Sequence, residues 1–217
     1  MNIEEYSFLN FIKNGDIVYD IGAHIGERSI LFATQLGAKK VYAFEPVPFN
    51  FLELQNNVKQ FSNIETFNVA LHEKEYECIT KFRHCNPLHP GDVEENIQYK
   101  ILENIIKEKK LELPNFLKFD IEGMESIVLK TCNFLFEKSR PIFFVEIHAA
   151  PKDEPQSYAD CPHWKTPEDG GFDFNFLKEC GYKMIDKNLV PFKNSENWNP
   201  IPTQHKGVVL IPKEKLN

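Results

Sequence analysis

The chain lacks any apolar run approaching the roughly 20 residues that a membrane-crossing helix needs, so no membrane partner is expected. Its opening residues, Met1-Asn2-Ile3-Glu4-Glu5, are acidic and have no apolar stretch of the kind a signal peptide carries. It also has no basic run. With a net charge of −7 and a pI near 5.6, it offers no footprint for a phosphate backbone, and nucleic acid is not an expected partner. The five cysteines, at 78, 85, 132, 161 and 180, are odd in number, and no pair has zinc-type spacing. They read as reduced thiols, which points to a cytoplasmic location. Internal repeats and low-complexity segments are absent. What remains is a 217-residue chain, 42% hydrophobic and rich in phenylalanine, long enough for one sizeable core and expected to form one domain over residues 1–217.

The pattern that is present alternates strand and helix. A short leading helix over 3–13 is stopped by Asn14-Gly15. Ile17–Asp20 reads as a first strand, followed by a helix that Gly37 ends. Lys40–Glu45 reads as a second strand. The next helix has a face of Phe51, Leu54, Val58 and Phe61. Ile64–Leu71 follows as a third strand, and Tyr76–Phe82 as a short extra strand or hairpin arm. Ile97, Ile101 and Ile105 then suggest a helix, with Glu94-Glu95 at its start and lysines at its end. Phe116–Asp120 and Pro141–His148 are the fourth and fifth strands, separated by a turn and helix over 121–136. A last helix over 172–180 leads to two closing strands, Tyr182–Asp186 and Gly207–Ile211. Such alternation predicts an α/β fold with a mostly parallel sheet and helices on both faces.

One stretch organises the rest: Val18-Tyr19-Asp20-Ile21-Gly22-Ala23-His24-Ile25-Gly26. It is a strand, an acid and a glycine turn leading into a helix, and such turns sit at the carboxyl edge of open sheets, where ligands bind. A dinucleotide site would have a glycine two positions after Gly22, so that the backbone can approach a pyrophosphate. Here that position is His24, and Asp20 would repel phosphate. S-adenosylmethionine suits these residues better. It carries a sulfonium and an amino-acid end but no phosphate, so Asp20 can accept from its ammonium group. Glu45, one strand–helix–strand unit further on, can accept from both ribose hydroxyls.

The runs VYDIGAHIGERS, VYAFEPVPFNFLELQNNV, NVAL, LKFDIEGMESIVL and PIFFVEIH resemble the FkbM-type S-adenosylmethionine-dependent methyltransferases over roughly residues 15–148. The resemblance implies a class I methyltransferase fold, a Rossmann-like seven-stranded sheet with its last strand antiparallel. It also implies O-methyl transfer to a hydroxyl, with a sugar or glycan as the foremost acceptor class. By this match Asp20, Gly22, Ala23, Gly26, Glu45 and Pro46 line the cofactor, while Asn68 and Ala70 border the adenine. The chain departs from the family pattern at His24 and at Arg28.

At the far side of the sheet edge a cluster of titratable groups is expected. Asp120 ends the fourth strand, Glu122 begins the next turn, and Glu146 and His148 share a face of the fifth strand. A neutral hydroxyl is a poor nucleophile, so Asp120, Glu146, His148 and Glu122 are the catalytic candidates. A placed base contributes about 10²–10⁴-fold. A second design open to Asp120, Glu146 and His148 is ligation of a divalent cation, magnesium or manganese, that lowers the hydroxyl's pKa. Lys118, on the face of Asp120, has a plain reading as its ion-pair partner. Glu125 has one as a carboxylate that favours a helix start. The acceptor is expected under two Pro-rich segments, 83–93 and 149–171, which carry His84, His89, Tyr158, His163 and Trp164. Alternatives from other classes are a methyltransferase acting on a secondary metabolite or on nucleic acid, and a non-catalytic binding protein that keeps the fold.

Overall fold

The computed structural model describes residues 7–84, 91–122, 124–147, 175–186 and 206–216. A 3₁₀ turn, Ser7–Phe11, precedes strand β1, Ile17–Ile21. Helix α1 (Glu27–Thr34), β2 (Lys40–Phe44), α2 (Pro48–Val58) and β3 (Ile64–Phe67) follow as alternating units. Then come β4 (Ala70–Leu71), β5 (Tyr76–His84), β6 (Gly91–Lys100) and α3 (Leu102–Lys109). The second half holds β7 (Phe116–Phe119), α4 (Glu125–Lys130), α5 (Asn133–Lys138), β8 (Ile142–Ile147), α6 (Asn175–Glu179), β9 (Tyr182–Asp186) and β10 (Lys206–Pro212).

Seven strands form one sheet in the order β3-β2-β1-β7-β8-β10-β9. β1 pairs in parallel with β2 on one side and β7 on the other, and β10 runs antiparallel between β8 and β9. The strand order therefore reverses between β1 and β7. Open α/β sheets place their ligand crevice at such a switch point. The seven-stranded, mostly parallel sheet with an antiparallel last strand, flanked by helices, is as expected from the sequence.

The central strands are buried on both faces, because helices cover each side. Alternation sorts their side chains. Ile17, Tyr19 and Ile21 pack with Leu117, Phe119, Phe143 and Val145 against α3, α4 and α5. Val18, Phe116, Ile142 and Phe144 pack against α1, α2 and the leading 3₁₀ turn, where the Phe8 ring stacks on Phe144 at 3.8 Å between centroids. By the same period of two, Asp20, Lys118 and Glu146 fall on the α1 face. The polar groups of the edge thus share a face with α1.

Three expectations change. Residues 94–100 belong to β6, not to the start of a helix, and the helix is confined to Leu102–Lys109. β6 pairs antiparallel with β5 along its whole length, from Tyr76↔Tyr99 to His84↔Gly91. Ile97 and Tyr99 are buried while Glu94, Asn96 and Gln98 are exposed. The spacing from Ile97 to Ile101 misleads because four is also an even number: it marks one face of a strand as well as one face of a helix. The expected loop over 83–93 likewise narrows, since 83–84 and 91–93 are strand. The third strand breaks after Phe67, and Ala70–Leu71 leaves the main sheet to pair in parallel with β6 in a three-stranded sheet. The second predicted acceptor segment, 149–171, and its Tyr158, His163 and Trp164 lie outside the described residues, as do His89 and His148.

Candidate active site

The glycine turn joins β1 to α1 at the switch point. Gly22 adopts φ +82°, and a Cβ built on it would sit 1.8 Å from the Asp120 carbonyl oxygen at the end of β7. Only glycine fits there, because backbone meets backbone. Gly26 adopts φ +90° as the cap of α1, with the Leu54 side chain against it.

The amides of this turn are committed inside the chain. Gly22 and Ala23 N–H both donate to the Phe44 carbonyl, at 3.0 and 2.9 Å, and Gly26 N–H donates to Ala23. His24, at φ +52°, donates its N–H to Glu45 Oε2 at 2.9 Å. A phosphate cradle needs such amides free and pointing at the ligand. This turn instead locks its loop onto β2.

Glu45 is the lock. Its carboxylate is buried and also accepts from the Val47 N–H at 3.1 Å and the Asn50 amide at 3.3 Å. Burial pushes its pKa up to about 7, and the three N–H donors only partly oppose this. Asn68, beyond β3, donates to the carbonyls of Glu45 and Pro46 at 2.9 and 3.0 Å. It therefore ties the ends of β2 and β3 together. Ala70 is half-buried in the second sheet, paired with Tyr99.

A charged row crosses the sheet beneath the turn. Asp20 and Lys118 are register neighbours on β1 and β7, and both are almost fully buried. Asp20 Oδ2 accepts from Ser29 Oγ of α1 at 2.7 Å. Its Oδ1 lies 3.1 Å from Lys118 Nζ, as an ion pair off the hydrogen-bond axis. Lys118 Nζ also donates to the Gly22 carbonyl at 3.0 Å and lies 3.3 Å from Asp120 Oδ2. A buried ammonium needs such company. Lys118 does pair with Asp120, as its shared face suggested, and it binds Asp20 and the glycine turn as well.

Arg28, in the first turn of α1, reaches over the same edge. Its Nη1 donates to Asp120 Oδ2 at 3.0 Å and lies 3.9 Å from Glu146 Oε2. The structure thus brings together Asp20, Asp120 and Glu146, with Lys118 and Arg28 between them. Glu122 lies on the turn after β7, exposed and at φ +56°. Glu125 is buried and accepts the Ile121 N–H at 3.0 Å, so its carboxylate closes that turn.

The metal design finds little support in this donor set. Among the described residues no group of three or more His, Cys, Asp or Glu side chains is arranged to hold an ion. Asp120 and Glu146 both face the Arg28 guanidinium, and His148, the third residue of that design, lies outside the described residues.

Sequence reasoning missed the roles of Ser29, Arg28 and Asn50. A signal for Lys118 was present: a lysine inside the otherwise apolar strand FLKF must find carboxylates or stay uncharged. Ser29 and Arg28 lie within a turn of the glycine loop, but their partners are some 9 to 118 residues away, and only the folded sheet joins them.

A family model for the methyltransferase FkbM domain matches residues 20–184. The chain belongs to the FkbM methyltransferase family. Solved structures agree in fold. The methyltransferase FkbM from Methylobacillus flagellatus KT has a TM-score of 0.55 at 17% identity, over 90% of this chain and 43% of that one. A putative methyltransferase from Streptococcus mutans, solved in complex with SAH, has a TM-score of 0.50 at 13% identity, over 97% of each chain. The METTL16 methyltransferase domain has a TM-score of 0.51 at 14% identity, over 94% of this chain and 63% of that one. No curated protein matches the chain. This FkbM-family chain thus spans under half the length of the Methylobacillus protein. Among its described residues no helix is long and apolar enough to cross a membrane.

Proposed function

We propose that this FkbM-family chain is an S-adenosylmethionine-dependent O-methyltransferase whose acceptor is a hydroxyl of a small polar molecule, a sugar or glycan. The observation that carries the cofactor is the glycine turn itself. Its amides at 22, 23, 24 and 26 are committed to the chain's own acceptors, so it is built for a ligand without phosphate. Charge agrees. Asp20, Asp120 and Glu146 outnumber Lys118 and Arg28, and Glu45 adds a further carboxylate, so the edge is net acidic, which suits a cationic cofactor.

When bound, the cofactor supplies an electrophilic methyl group on a sulfonium sulfur. Gly22 and Gly26 shape the turn that holds it by closing against Asp120 and Leu54, Ala23 lines it, and Glu45 accepts from its ribose hydroxyls. Pro46, Asn68 and Ala70 border the base, and Asp20 sets the turn from below. Glu146 takes the acceptor proton, since its contact to Arg28 is the longer one, while Asp120 is held by both cations. An acidic chain with no basic run favours a neutral acceptor over a polyanion.

Calorimetry with S-adenosylmethionine is the first test: binding in the micromolar range is expected, and none at millimolar cofactor would sink the reading. Transfer of a labelled methyl group to panels of free sugars, oligosaccharides, phenolic metabolites and RNA then separates the acceptor classes. Label on a sugar hydroxyl is expected, and label confined to RNA would reverse the acceptor assignment.

Glu45 gives a pH signature. Ribose hydroxyls bind its ionised form, and its pKa in the free protein is raised to about 7. Cofactor binding should therefore release a proton below that pH. Affinity should rise towards about tenfold per unit as pH increases from 5 to 7, then level off. Calorimetry in buffers of different ionisation heats reads this directly. An affinity independent of pH over that range would remove Glu45 from the ribose.

A further inference from the structure

The most informative feature that the methyltransferase reading leaves over is Arg28. It sits one turn into α1, yet its guanidinium reaches the ends of β7 and β8. There one nitrogen, Nη1, touches Asp120 at 3.0 Å and approaches Glu146 at 3.9 Å. All three side chains are about a quarter exposed, so they line an open edge of the fold and are not packed in the core. Lys118 approaches Asp120 from below, on the side of Asp20.

We propose that Arg28 is a built-in cation. Its guanidinium occupies the position between Asp120 and Glu146 that a divalent metal would otherwise take, and holds the two carboxylates as a fixed pair. This rests on the reading of Asp120 and Glu146 as the acceptor-side carboxylates. The physical reason is charge. Two carboxylates that converge on one point repel unless a cation stands between them, and the cation can be supplied by solution or by the chain. A metal would be bound and lost with its concentration and would compete for the oxygen lone pairs of Glu146. A guanidinium is permanently charged, cannot be deprotonated in this pH range and is anchored to a helix. It also donates along fixed directions set by its planar fork. Arg28 is then a positioning residue: it acts through Asp120 and Glu146 and not on the reacting atoms.

The test uses manganese as the probe and needs neither cofactor nor acceptor. Electron paramagnetic resonance of Mn²⁺ added to the whole chain counts the free ion. Wild type is expected to leave the signal unchanged up to millimolar metal. Arg28→Ala should take up Mn²⁺ with a dissociation constant on the order of 10⁻³ M, at the weak end for carboxylate sites. Arg28→Lys, which restores a fixed charge, should exclude the metal again. Arg28→Ala combined with Glu146→Gln should lose the gained uptake, which localises it to this pair. Circular dichroism of each variant, with SAH calorimetry beside it, establishes that the fold is kept. Uptake by wild type that Glu146→Gln abolishes would overturn the proposal, because the site would then be a metal site despite Arg28. A folded Arg28→Ala chain that excludes Mn²⁺ as well as wild type does would overturn it too. Failure of S-adenosylmethionine to bind would remove the methyltransferase reading and leave the manganese result standing.

Discussion

Lys118→Met is expected to destabilise the chain by about 3–5 kcal/mol, the cost of leaving a buried charge without its partner. Asp20 is fully buried, and its two oxygens face Ser29 and Lys118. Methionine matches the length of the lysine stem but donates nothing. Asp20 would lose its counter-charge, the Gly22 carbonyl its donor, and Asp120 one of its two cations. For a chain of this size the loss corresponds to a fall in melting temperature of roughly 6–20 °C, at about 2–4 °C per kcal/mol. Asp20→Asn added to Lys118→Met should recover more than half of it, because the orphaned charge is then gone. Thermal and urea unfolding of the two variants check this. A single variant that melts within about 2 °C of wild type would mean that the pair is not buried.

Gly22→Ala should be comparably damaging for a different reason. A left-handed backbone costs a residue with a side chain about 1–2 kcal/mol wherever it occurs. At Gly22 the new Cβ would also lie 1.8 Å from a main-chain carbonyl oxygen and 2.8 Å from its carbon. That carbonyl cannot swing away freely, since Asp120 is hydrogen-bonded through its own N–H to Ile21. Either β1 and β7 part at their carboxyl ends or the turn is rebuilt, and both undo the crevice. Gly15→Ala is the control. Gly15 has φ +89°, but nothing lies within 4 Å of its Cβ position, so only the backbone cost applies. Gly22→Ala is expected to lose at least about 2 kcal/mol more than Gly15→Ala and to lose S-adenosylmethionine binding outright. Equal losses in the two variants would show that the turn tolerates a side chain.

Much of this arrangement is legible in the chain because it is periodic and local. The apolar faces of α1 and α2, the buried strands and the glycine turn each announce themselves within a few residues. Alternation alone places Asp20, Lys118 and Glu146 on one face once their strands are neighbours. The β5–β6 hairpin was less legible. Isoleucines at 97, 101 and 105, with Glu94 and Glu95 ahead of them, have spacings that suit a helix, and the pairing of 91–99 with β5 that overrides this preference is a tertiary contact. Arg28 was illegible for the same reason: its partners lie on β7 and β8, far along the chain.

Asp20 to Gly26 shows the division most clearly. Residue types and short spacings are enough to make this turn acidic, glycine-dependent and unsuited to a pyrophosphate. They are also enough for the α/β alternation and the family's motifs. Where the turn's hydrogen bonds go, to Phe44 and Glu45, emerges only on folding. So does the answer that Lys118 and Ser29 make to Asp20, and the place of Arg28 between the two acceptor-side carboxylates. Ion pairs and hydrogen bonds of this kind act over a few ångströms, and it is the register of neighbouring strands that brings their partners within that reach.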